Sequence, residues 1–442
     1  MCLAVLAGCG RTAPAPAISP TTAAAPSVLR EADHMAATDL WPGFDGRTIP
    51  VALFDGERTW LLAHPAPSPA YQASAENPGL LVRQGRDPLV WANSSVMMGG
   101  VRTATVMPGT ASASLAERAA VVIHEKFHVY QIARHPHWEA NEVDLFTYPV
   151  GDGAQLALRR QESAALQRAL AARDPGIAAC WSRRALDARR QRFARLPAAA
   201  VNYERRSEWR EGLANYVQAR SLGFPGHELP ANEFRPEEVR QRTYATGLAL
   251  GRLLDRLDPP WRETLERRDS IALDSLLGMA LTNTTAAACA FTPAELSQLE
   301  RTAQADADAL RVRLIANRQA FLARSGLTLV IVAGAEPLWP QGFDPLNVQV
   351  VSPREVLHTR FVRLGNRTGS IQVLGDTALT AAAGEHPLFN GIRTITLTGL
   401  PGETTVAMRG DSLILTTRTV QAAFRNPSVE QLGSTLTVTL RP

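Results

Sequence analysis

The stretch AERAAVVIHEKFHVYQ, residues 116–131, sets His124 and His128 four apart with Glu125 directly after the first. In an α-helix positions i and i+4 share a face, so both imidazoles can bind one ion at about 2.0–2.1 Å. Glu125 is turned about 100° from His124, beside the ion rather than on it. A carboxylate there can take a proton from an activated water without occupying a ligand position, which is the mechanical content of the H-E-x-x-H pattern. The bland alternative is a pair of satisfied core histidines. A hydrolytic zinc site also needs a third protein ligand and one open position.

Candidates for that ligand are few. A metzincin would carry a histidine six residues after His128 and a glycine three after it; Arg134 and Gln131 stand there, and that class is excluded. His135 and His137 follow across Pro136, and Glu162 lies on the apolar stripe Leu158, Ala165, Leu166, Ala169, facing inward and needing a partner, an arginine or the metal. The better candidate is in WREGLANYV, where Glu211 and Asn215 are spaced to share a helical face. Glu211 could bind the metal, with the Asn215 amide oxygen accepting the Nδ1 proton of a ligand histidine; the alternative is that Glu211 is one more surface acid in a charged helix beside Glu204 and Glu208.

H-E-x-x-H followed on a later helix by E-G-x-A-x-Y resembles the gluzincin metallopeptidases, specifically the peptidase-MA-like group. The resemblance covers roughly residues 100–255. It implies Zn²⁺ held by His124, His128 and Glu211, with Glu125 as general base. The family often has an aspartate four after the ligand glutamate; Asn215 keeps the acceptor but loses the charge. Tyr244, in the Y-x-x-G of Tyr244-Ala245-Thr246-Gly247, matches the phenol with which gluzincin aminopeptidases stabilise an oxyanion. The aminopeptidase anchor G-x-M-x-N is missing, since VMMGGV has no carboxylate, which tilts the reading toward an endopeptidase of peptide or protein substrates. The strand VRTATVM, just before the metal helix, stands where zincins place the sheet edge that pairs with extended substrate.

These residues require a helix with a defined start. Ser114-Leu115-Ala116-Glu117 is a capping box, and Pro136 marks the end. Upstream, IPVALF and RTWLLA flank a turn at Asp55-Gly56-Glu57, and GLLVR, LVWAN and VRTATVM supply further strands. Helical patterns run on to residue 324. One is stopped by Gly223 and Pro225, and the last opens at Thr292-Pro293-Ala294-Glu295. Beyond Gly326 the apolar period falls from 3.6 to 2. The expected fold is α+β: a leader and tether over 1–27, a zincin-like domain of small sheet plus helical bundle over 28–325, and an all-β, sandwich-like domain over 326–442.

Composition restricts the partners. The 442 residues carry 46 Lys+Arg against 42 Asp+Glu, a formal +4, which is no nucleic-acid signature. Lys126 is the only lysine. The arginine run Arg183, Arg184, Arg189, Arg190, Arg192, Arg195 reads as a solvated helix face, or else as a surface for anionic lipid or substrate. Cys180 and Cys289 suit either one disulfide or two buried thiols.

LAGC, residues 6–9, resembles the lipobox of bacterial lipoproteins, with Cys9 as the lipidated residue and a Pro/Ala/Thr tether behind it. Few apolar residues precede Gly8, so either the recorded start lies inside a longer signal, which is the expectation, or the match is chance. Location in the cell envelope, periplasmic or at the outer membrane, follows, with membrane contact only through the lipid. The reading is a zinc metallopeptidase. The alternatives left open are a non-catalytic zincin-fold binding or scaffold lipoprotein, and a zinc hydrolase of another substrate.

Overall fold

The computed structural model describes residues 24–109, 112–224, 229, 230, 232–282, 285, 287–344, 347–401 and 406–441. Cys9 and most of the expected leader lie outside them. The fold is mixed α+β, and contacts divide it into two units. One holds the described residues of Met1–Pro136 and Val217–Pro225, the other those of His137–Tyr216 and Gly226–Pro442. This grouping differs from a division at residue 326, because the β-rich segment belongs with the helices from His137 onward.

The first unit opens with helix α1 (Ala24–Met35) and continues with strands β1 (Val51–Phe54), β2 (Arg58–Leu62), β3 (Gln72–Ala73), β4 (Leu81–Gln84), β5 (Ser94–Met98) and β6 (Val101–Val106). The hairpin expected at Asp55-Gly56-Glu57 is present. Asp55 accepts from the amides of Glu57 and Arg58 and from the Trp60 indole at 2.7 Å, and Gly56 takes φ +106°. The sheet order is β3-β4-β2-β1-β6-β5, with β6 parallel to β1. Two expectations are corrected. LVWAN forms a turn ahead of β5, not a strand. VRTATVM is an interior strand paired on both sides, and β5 is the free edge on that side.

Helix α2 (Leu115–Arg134) packs on β5, β6 and α1. Every residue from Val122 to Val129 is buried, the polar His124, Glu125, Lys126 and His128 among them. Trp41 and Phe44 meet Phe127 edge to face at 5.6 and 5.2 Å, and the Tyr130 hydroxyl donates to the Pro42 carbonyl.

In the second unit, α3 (Gly153–Ala171) packs against α4 (Pro175–Phe193). There follow α5 (Ala198–Ser207), a π-helical turn (Glu208–Gly212), α6 (Leu213–Ser221), α7 (Val239–Leu257), α8 (Trp261–Arg267), α9 (Leu273–Thr282) and the 30-residue α10 (Pro293–Leu322). Cys180 and Cys289 form a disulfide that ties α4 to the segment preceding α10. The expected capping boxes at Ser114 and Thr292 are both formed.

From Leu327 onward the chain forms a sandwich. A seven-stranded sheet runs in the order Ser428–Leu432, Thr435–Thr439, Leu327–Val332, Ile392–Leu400, Ala378–Ala382, Glu355–His358, Val348–Ser352. A six-stranded sheet lies against it, and alternate residues of both, among them Ile331, Ile395 and Val438 from one and Leu364, Val373 and Leu415 from the other, share one core. No described helix is long and apolar enough to cross a membrane.

Lys126 is fully buried on α2, and its Nζ has no hydrogen-bond partner among the described residues. Burial pushes its pKa down to about 8, against the pull of Asp33 and Asp45. Between pH 8 and 10.5 the unfolded chain therefore binds more protons than the folded one, and stability rises with pH across that window. Lys126→Met is expected to stabilise the protein by about 3 kcal/mol below pH 8. The gain should shrink toward pH 10.5 in denaturant titrations with a chelator present. A pH-independent difference, or a less stable variant at pH 7, would contradict this account.

Candidate metal centre

Helix α2 positions the two histidines with their rings 4.6 Å apart, centroid to centroid, and nearly perpendicular. His128 Nδ1 lies 2.8 Å from Gln131 Oε1, one turn on. An amide oxygen only accepts, so the proton sits on Nδ1 and Nε2 becomes the ligand atom. Glu125 is buried at 6% exposure, and its carboxylate makes no hydrogen bond or ion pair among the described residues.

Glu211 lies in the π turn, where the Leu213 amide bonds to the Glu208 carbonyl five residues back. Such turns are rare and frequent at functional sites. The next residue, Gly212, faces Gly247 on α7. A Cβ on either would come within 2.6 Å of the other's Cα, and one on Gly212 would lie 2.9 Å from the Thr243 carbonyl oxygen. The glycines of E-G-x-A-x-Y and Y-x-x-G are thus the two sides of one backbone contact.

Behind this contact is a buried lattice of charge. Glu162 takes Arg189 and Arg192 at 2.9 Å each and Arg242 at 3.2 Å. Arg189 also forks onto Glu208 at 2.9 and 2.6 Å, and Arg192 onto Glu204 at 2.5 and 2.8 Å. Arg242 and Arg159 meet Glu233, so four arginines face four glutamates with side chains 0–5% exposed. Burial alone would raise the Glu162 pKa, but Arg189, Arg192 and Arg242 outweigh it and hold the carboxyl far below its usual range. Thr246 on α7 donates to Glu208 at 2.6 Å, joining α7 to the π turn. The arginine run is therefore only partly a solvated face: Arg189 and Arg192 are core residues.

One turn before Tyr244, Arg240 donates to Glu211 Oε1 at 2.8 Å, to the Tyr244 hydroxyl at 3.3 Å, and to Glu142. Burial first, then the negative charge of Glu211, raises the Tyr244 pKa well above its ordinary value, so the phenol stays protonated and able to donate. Asn215 differs from expectation. Its amide donates to the Tyr244 carbonyl at 3.3 Å, and Gln131 orients His128 instead. An i, i+4 relation does not carry across a π turn, where the hydrogen bond spans five residues. Arg240 and Gln131 escaped the sequence reading, although each stands one helical turn from a residue already singled out. His137 is engaged with Asp269, His135 packs against Tyr130, and Glu162 belongs to the lattice.

His124, His128 and Glu211 form a buried group, each offering one ligand atom, with these atoms all within 4.8 Å of one another. Two imidazole nitrogens and one carboxylate oxygen suit a divalent ion bound at about 2.0–2.2 Å. The donor set therefore fits a metal without specifying which. Comparison with known proteins gives no match, neither to a family model nor to a curated protein or solved structure.

The close approach at Gly212 and Gly247 makes a testable demand. Gly212→Ala and Gly247→Ala should each cost about 1–3 kcal/mol or more, because backbone must move. Gly278→Ala, whose Cβ would meet only Leu186 Cδ1 at 3.9 Å, should be neutral or stabilising by up to about 1 kcal/mol. Equal effects at all three positions in thermal unfolding would contradict the packing argument.

Proposed function

We propose that the protein is a zinc-dependent hydrolase of peptide bonds, of gluzincin type and more an endopeptidase than an exopeptidase. The observation that carries this reading is the grouping of His124, His128 and Glu211, with Glu125 beside the first histidine on the same helix. Zinc held there would act as a Lewis acid toward a carbonyl oxygen and bring the pKa of water to about 7. Glu125 would accept the proton of the attacking water and return it to the leaving amine nitrogen, exchanges worth about 10²–10⁴ in rate. Tyr244, kept neutral, would donate to oxygen as negative charge develops. Gln131 would fix the His128 ring.

The envelope setting is part of the same reading. The lipobox-like LAGC, which ends in Cys9, supports a lipid anchor, and the Cys180–Cys289 disulfide suits an oxidising compartment.

Glu125→Gln should retain one zinc per chain and lose hydrolysis of an unfolded protein substrate by about 10²-fold or more. Glu211→Ala should lose the zinc. Wild-type cleavage by Glu125→Gln would remove the mechanism. Stoichiometric zinc with no turnover by wild type would favour the scaffold reading.

A further inference from the structure

Within the second unit, the residues that reach Glu211 form a connected line, and it ends in the sandwich. Phe146, on the 3₁₀ turn Glu142–Thr147, is 4% exposed and belongs to the sandwich core cluster. Its ring lies 5.4 Å from Phe343, 6.1 Å from His386 and 6.3 Å from Phe389, all on the sandwich side. This aromatic anchor fixes the turn.

Glu142 begins the same turn. One of its oxygens accepts from Arg240 Nη1, the other from the Tyr203 hydroxyl at 3.2 Å. Tyr203 is fully buried and holds its side of the carboxylate in place. Arg240 is therefore shared. Nη1 serves Glu142, while Nη2 reaches Glu211 Oε1 at 2.8 Å.

This sharing has a chemical consequence. A guanidinium beside a single carboxylate prefers to clamp both oxygens in parallel, and its charge opposes a neighbouring cation. With Nη1 committed to Glu142, Arg240 grips Glu211 through one oxygen only, and the Glu142 charge offsets its own. We infer that Glu142 is a positioning residue, held in place by Phe146 in the sandwich, which stops Arg240 from sequestering the metal-binding carboxylate of Glu211. The sandwich is thus a structural part of the metal centre, whatever else it binds. This inference rests on the reading of Glu211 as a metal ligand.

The test is zinc affinity of the full chain, measured by competition with a chromogenic chelator, which needs no turnover. Glu142→Gln should weaken zinc by about 10–100-fold, the usual effect of an outer-shell partner. Adding Arg240→Met to Glu142→Gln should return affinity to near the wild-type value, because the competitor is gone; a merely structural defect would not be rescued. Phe146→Ala should weaken zinc in the same direction. Val438→Ala, in the same sandwich core, should lower thermal stability and leave zinc affinity unchanged. Wild-type affinity in Glu142→Gln, no rescue by Arg240→Met, or equal loss in Val438→Ala would each overturn the inference while leaving the metal centre standing. Failure of wild type to bind zinc would overturn both.

Discussion

Between the π turn and α7 there is room for backbone and nothing else. Gly212 and Gly247 meet so closely that a methyl group on either would strike the opposing main chain. That contact places Glu211, one residue before Gly212, beside the helix whose preceding turns carry Tyr244 and Arg240. The main chain thus sets the spacing of the two segments, and Arg240, bonded to both Glu211 and the Tyr244 hydroxyl, links their side chains across it. Rigid elements hold reactive groups more closely than loops do, and here the rigidity comes from the absence of side chains.

The lattice of Arg159, Arg189, Arg192 and Arg242 with Glu162, Glu204, Glu208 and Glu233 supports that contact from behind. Burying eight charges is costly, and well-packed apolar residues would do as well or better for net stability. What the lattice adds is direction. Each forked arginine accepts only one arrangement of its carboxylates, so α3, α4, α5, the π turn and α7 cannot slide past one another without stranding a charge. Loss of a single partner would cost about 3–5 kcal/mol, which makes the arrangement nearly all-or-none.

Features with local causes were legible in the sequence. The capping boxes at Ser114 and Thr292, the Asp55 hairpin, the period change after Gly326 and the spacing of His124 and His128 on α2 each depend on residues within a turn or two of one another. What was missed depends on distant partners. Arg189 and Arg192 read as solvent-facing because arginine is seldom buried, and only Glu162, already suspected on its apolar stripe, hinted otherwise. The helical rule that would turn Asn215 toward a histidine is suspended by the π turn, and no local residue announces that turn. The interior position of VRTATVM follows from the pairing order, which is a property of the whole sheet and not of the strand.

His124, His128 and Glu211 are proposed to bind one divalent ion together. X-ray absorption at the zinc edge on the purified, zinc-loaded protein tests it most directly. The expected spectrum shows two imidazoles at about 2.0–2.1 Å and the remaining ligands oxygen, with the imidazole signal lost in a His124→Ala, His128→Ala variant. A shell without imidazole, a sulfur ligand, or an unchanged spectrum in that variant would contradict it.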